Sequence, residues 1–222
     1  MFSILKRKNE NPVLLVVIAT GISSVVTQLL TIREFLAQFQ GNEFVIALIL
    51  FSWLIQGGIG TLISRFLTGK SAPSANFLGL LSLALAALPA LQILLIRELR
   101  DTLFIHGSSV GFYPTFAFIF LTTAPYALLI GFVLPYSLFV LRASKPDYPG
   151  SYIYITDSLG DVTGGTIFSF FLVYLFSPLQ SVFIANIFLL AATYSLFKHS
   201  GLRHTLTITG TGIALFILVS GV

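Results

Sequence analysis

The residues with the most chemistry to offer are two aspartates four positions apart. Asp157 and Asp161 stand in YITDSLGDVTGG, Tyr154 to Gly165, inside a long apolar segment. A carboxylate near a bilayer centre costs roughly 2.5–3.5 kcal/mol on the insertion scale, so its presence there calls for a partner or a ligand. Two carboxylates facing a polar helix contact could bind a small cation. Asp157 also has a plainer reading: a carboxylate in the first turns of a helix is favoured by the N-terminal dipole.

Helical spacing groups other polar residues with them. Thr20, Ser24, Thr27, Thr31 and Glu34 recur at spacings of three and four, with Gln28 beside them. Ser52, Gln56, Gly60 and Ser64 recur every fourth residue, and Asp157, Gly160, Asp161, Gly164 and Phe168 form a third stripe. Residues at these spacings share a helix face. Small residues let backbones approach, so Gly57, Gly60, Gly160 and Gly164 mark helix-packing positions. The expectation is that the first, second and fifth spans pack on their polar sides. That contact makes Asp157, Asp161, Gln28, Gln56 and Arg65 a candidate intramembrane polar site, with Arg65 snorkelling to Asp157. Arg33 and Glu34 form a candidate structural or interface pair; adjacent in sequence, they project about 100° apart and reach for other helices rather than each other.

The elements that must position these groups follow from composition. The 222-residue chain is 56% hydrophobic and 9% charged, with a mean hydropathy of +0.96. A soluble domain carries about 25% charged residues, so the expectation is an all-α integral membrane protein. Its apolar runs are continuous and reach the ~20 residues a spanning helix needs; the alternation of a membrane barrel is missing. Seven spans are predicted, over residues 12–38, 43–64, 76–96, 112–141, 152–176, 178–197 and 204–222. The fourth carries Pro114, Pro125 and Pro135, each able to kink or break it. Loops are short, so residues 1–222 form one polytopic domain.

Charge sets the orientation. With a cytoplasmic N-terminus, the inner side receives Lys6, Arg7, Lys8, Arg65, Lys70, Arg142, Lys145, Lys198 and Arg203, and the outer side only Arg33, Arg97 and Arg100. This is a positive-inside bias. The absence of cysteine excludes thiolate metal sites and covalent haem, and the histidines (His106, His199 and His204) fall in connecting segments. No metal or cofactor is predicted, although a lipid or quinone would fit the same groove. No basic, aromatic-interleaved array points to nucleic acid. Val222 would end flush with the outer face, which raises the expectation that the sequence is one piece of a longer chain.

The segment GISSVVTQLLTIREFLAQFQGNEFVIALILFSWLIQGGIG resembles the opening two helices of bacterial membrane-bound spermidine synthase-like proteins, through Gln28, Arg33, Glu34, Gly41, Asn42, Glu43 and Gly57 to Gly60. PYALLIGFVLPYSLFVL is also similar to that family. So is YIYITDSLGDVTGGTIFSFFLVYLF, which matches a Tyr-x-x-Asp-Ser/Thr-Leu-Gly pattern at Tyr154, Asp157, Ser158, Leu159 and Gly160. The resemblance implies a bacterial inner (cytoplasmic) membrane location. It does not carry over an enzyme, because the family's cytosolic aminopropyltransferase-like domain, with its glycine-rich nucleotide loop, has no counterpart here.

Three functions remain open. The first is a non-catalytic inner-membrane subunit or anchor that organises a larger assembly, with lipids and other membrane or membrane-associated subunits as partners. The second is the membrane half of a longer spermidine synthase-like enzyme, which needs an eighth span to return a catalytic domain to the cytoplasm. The third is a transporter or binder of a small cation such as a polyamine at Asp157 and Asp161. No catalytic residue is assigned under any of them.

Overall fold

The computed structural model describes residues 2–39, 43–69, 72–105 and 110–200, with side chains from Asn11 to His199. All regular structure among them is helical: α1 (Phe2–Gln38), α2 (Glu43–Thr68), α3 (Ala75–Leu103), α4 (Phe112–Ser144), α5 (Gly150–Ile167) and α6 (Pro178–Ser200). α5 runs on through a π-helical turn (Phe168–Leu172) and a last short segment (Val173–Leu175), making one continuous rod. These six helices are long and apolar enough to cross a membrane. The seventh predicted span, His204 to Val222, lies outside the described residues.

The helices overrun the predicted apolar stretches because their polar ends stay helical. α3 continues seven residues past Ile96 to Leu103, and α4 three past Leu141 to Ser144. Pro125 and Pro135 sit inside an unbroken α4. Membrane helices tolerate such prolines where neighbouring helices and side chains satisfy the freed carbonyls. The Ser177-Pro178 corner stops one helix and starts the next by local chemistry. Pro178 takes the first helical position, Gln180 N–H reaches Ser177 Oγ at 3.4 Å, and Ser177 N–H donates to Gln180 Oε1 at 3.0 Å, a reciprocal capping box. Ser74 caps α3 by accepting from Phe77 N–H at 3.3 Å.

Contacts give every helix a direction. Thr31 meets Gln92 and Glu34 meets Arg97, so α1 and α3 run parallel. Ile18 lies against Gly160 and Ile22 against Gly164, so α5 runs parallel to both. Phe44 meets Phe112 and Phe51 meets Phe116, which sets α2 parallel to α4. Gly79 against Phe197 and Ala86 against Asn186 make α6 antiparallel to α3, and Ser74 at Tyr136 with Phe77 at Phe132 do the same for α4. Odd and even helices thus point opposite ways, as successive membrane crossings must.

α1 is the central post. Its best apolar window is 61% buried, whereas that of α5 is 22% buried. α3, α4, α5 and α6 surround it, and α2 packs mainly on the outside of α4. The middle of the bundle is tied by one polar cluster. Ser23 Oγ donates to Asn186 Oδ1 at 2.6 Å, Asn186 Nδ2 donates to the Ala86 carbonyl at 2.9 Å, and the Tyr126 hydroxyl closes on Ser23 at 3.4 Å. Four helices therefore share one hydrogen-bond network. Interhelical bonds of this kind contribute about 0.6–2 kcal/mol each. Asn186→Val is accordingly expected to lower stability by about 1–2 kcal/mol, read as an earlier midpoint in a denaturing-detergent titration.

Candidate functional site

The aspartates are placed by glycine. Gly160 and Gly164 face α1, where their α-hydrogens lie on the backbone of Ile18 and Ile22, and Gly21 on α1 faces back. A methyl group at Gly21 would stand 2.5 Å from the Asp157 carbonyl oxygen and 3.0 Å from the Asp161 nitrogen. The obstruction is backbone, which a rotamer change cannot relieve. This backbone-to-backbone contact holds Asp157 and Asp161 on one flank of the α1–α5 pair, each half-buried. Ser24 lies near the middle of the α1 span, Asn11–Gln38, which sets Asp161 at mid-depth.

The Ser24 hydroxyl is shared between the Gly21 carbonyl at 2.9 Å and Asp161 Oδ1 at 3.2 Å. That is the one side-chain bond made to either carboxylate among the described residues. Neither has a cationic partner there. Gln28, one turn along α1 from Ser24, is half-buried, and no hydrogen bond joins it to either aspartate among the described residues. α4 meets α5 at its start, where Leu138 lies against Gly150.

Two expected members of this site are elsewhere. The α2 stripe faces α4, not α5. Gln56 Nε2 donates to the Phe120 carbonyl at 2.7 Å and Gln56 Oε1 accepts from Thr123 at 3.0 Å. Below it Gly60 abuts Leu128, and Gly131 of α4 abuts the backbone of Gly57. α4 thus offers α2 a matching threonine and glycine, while the glycine face of α5 is occupied by Gly21. Arg65 follows α2 to the far side of the bundle, exposed, and makes no ion pair with Asp157. Ser52 and Ser64 of the same stripe are buried without a hydrogen-bond partner among the described residues, so smallness is what they supply at the α2–α4 contact.

Arg33 and Glu34 separate as well. Glu34 turns inward, 4% exposed, and accepts two parallel bonds from Arg97 of α3 at 2.7 and 2.8 Å. Arg33 is exposed. One turn beyond Arg97, Arg100 is buried between the rings of Phe39 and Phe104, 5.6 and 5.7 Å from their centroids. Gln92 Nε2 donates to Thr31 Oγ1 at 2.7 Å, so α1 and α3 are joined by a ladder of polar contacts. A cavity of about 130 Å³ lies at the other end of the bundle, away from the aspartates, walled by Pro12, Val13, Leu141 and Leu196 with His199 at its edge.

Sequence reasoning treated Arg97 and Arg100 as loop charges and passed over Asn186, Tyr126 and Ser23. The usable signal was an isolated Asn inside an apolar run, since an amide at that depth must find a partner. For Arg97 it was a carboxylate and a guanidinium at similar heights on two parallel spans. No family model, curated protein or solved structure matches the chain.

Proposed function

We propose that this chain is a non-catalytic integral subunit or anchor of a larger assembly in a bacterial inner membrane, with its N-terminus in the cytoplasm. The observation that carries the reading is the state of α5. Among the described helices it lies at the edge, with the lowest mean hydropathy of the six, 1.3, and it packs chiefly on α1. Its flank presents two half-buried carboxylates that the described residues do not neutralise. Lipid tails offer nothing to such groups. A neighbouring membrane component does. Other polar side chains inside the bundle tie helices together, Ser23 with Asn186, Thr31 with Gln92, Glu34 with Arg97 and Gln56 with Thr123, which is the work of a scaffold. The likeness to spermidine synthase-like membrane regions supports the same architecture through the quoted motifs, and the distribution of lysine and arginine supports the orientation.

The test is isolation of the full chain from native membranes in mild detergent. Stoichiometric co-purification of at least one further membrane protein is the expected result. A monodisperse, partner-free monomer at every detergent concentration overturns the reading.

A further inference from the structure

We infer that the aspartate flank of α5 is a docking surface for a transmembrane helix of a partner subunit that carries a lysine or arginine at mid-membrane depth. The inference rests on the subunit reading and adds the chemistry of the partner. Asp157 and Asp161 stand four residues apart, about 6 Å along the axis, on the same side of α5. Both are partly exposed from the bundle, and among the described residues the one side-chain bond that either receives is from Ser24 to Asp161. Along the same flank come the ring of Tyr154 and the small, exposed Ser158. Small residues allow a second backbone close, and the tyrosine supplies contact area.

Charge complementarity selects the occupant. A second copy of this chain meeting the flank face to face would set carboxylates against carboxylates, which is repulsive in a medium of low dielectric. Lipid tails leave the carboxylates unpaired. A basic side chain from a neighbouring helix neutralises them, and it is itself relieved of the same desolvation by doing so. The flank runs over about two turns, from Tyr154 to Asp161, along the axis of α5, which suits a helix laid beside it. Ser24 of α1 borders it, bonded to Asp161 at 3.2 Å.

The experiment uses the full chain in proteoliposomes and a fluorescent, leucine-rich transmembrane peptide with one Lys at its centre, read by energy transfer from a donor on the protein. The Lys peptide is expected to associate at least tenfold more tightly than the same peptide with Leu in that place. Asp157→Asn with Asp161→Asn is expected to erase the difference. Equal binding of the two peptides, or a preference that survives the double substitution, overturns the inference. So does saturable binding of a free small amine that the same substitution abolishes while peptide association is unchanged, since that outcome makes the flank a small-cation site. Should Asp161→Asn fail to fold, Ser158→Leu, which blocks the flank and leaves both carboxylates, must abolish Lys-peptide association if docking occurs there. Native partners that co-purify equally with wild type and the Asn variants would leave the subunit reading standing and remove this one.

Discussion

Arg97→Ala is expected to lower the stability of the bundle by about 3 kcal/mol, and Glu34→Gln in the same chain to restore most of that loss. The asymmetry follows from burial. The Glu34 side chain is 5% exposed and that of Arg97 36% exposed, so removing the arginine leaves a largely buried carboxylate without its two charge-assisted bonds. Removing one partner of a buried pair costs about 3–5 kcal/mol, and the partly open arginine places this pair at the lower end. With Glu34→Gln the stranded charge is gone, and an amide at the same place needs only one or two weak partners. Equilibrium unfolding of the four chains in a mixed-micelle denaturation series gives the full cycle. A coupling energy near zero would mean that the two parallel bonds at 2.7 and 2.8 Å are a surface pair of little consequence.

Gly21→Leu is the second large effect. The substitution drives a branched side chain into the backbone of Asp157 and of Gly160, so α1 and α5 must separate by several ångströms or a helix must bend. Overpacking of an interior contact costs about 1–3 kcal/mol where side chains can yield, and more where backbone is the obstacle. The chain contains no cysteine, which allows a direct reading. Val25→Cys with Gly165→Cys should oxidise to a disulfide, because a Cβ at Gly165 would lie 3.5 Å from Val25 Cγ1. Adding Gly21→Leu should abolish that cross-link. Gly57→Leu, by contrast, should be tolerated far better, because its own Cβ points into open space.

Comparing those two glycines shows what the sequence could and could not tell. Spacing identified Gly57, Gly60, Gly160 and Gly164 alike as packing positions, since a small-residue stripe reports the face that is buried. It does not report the neighbour. α2 was expected on α1 and α5, and found its match on α4, where Thr123 answers Gln56 and Gly131 answers Gly57. Choosing between two glycine-bearing helices is a question of tertiary fit, to which the periodicity of one helix is blind. The α1 stripe was legible for the same reason that its partners were not. Thr31 and Glu34 announce an inward polar face, while Gln92 and Arg97 stand near the end of an ordinary apolar helix. Asp161 and its depth could be read directly from its place in the run; that Ser24 would reach it could not.

Site-specific photocross-linking in native membranes tests directly whether another membrane protein completes α5. The probe is placed at Ser158, on the aspartate flank, and for comparison at Leu54, the 77% exposed residue on the outer face of α2. The account predicts a discrete protein adduct from position 158 and lipid labelling alone from position 54. Lipid labelling alone from both positions would contradict it.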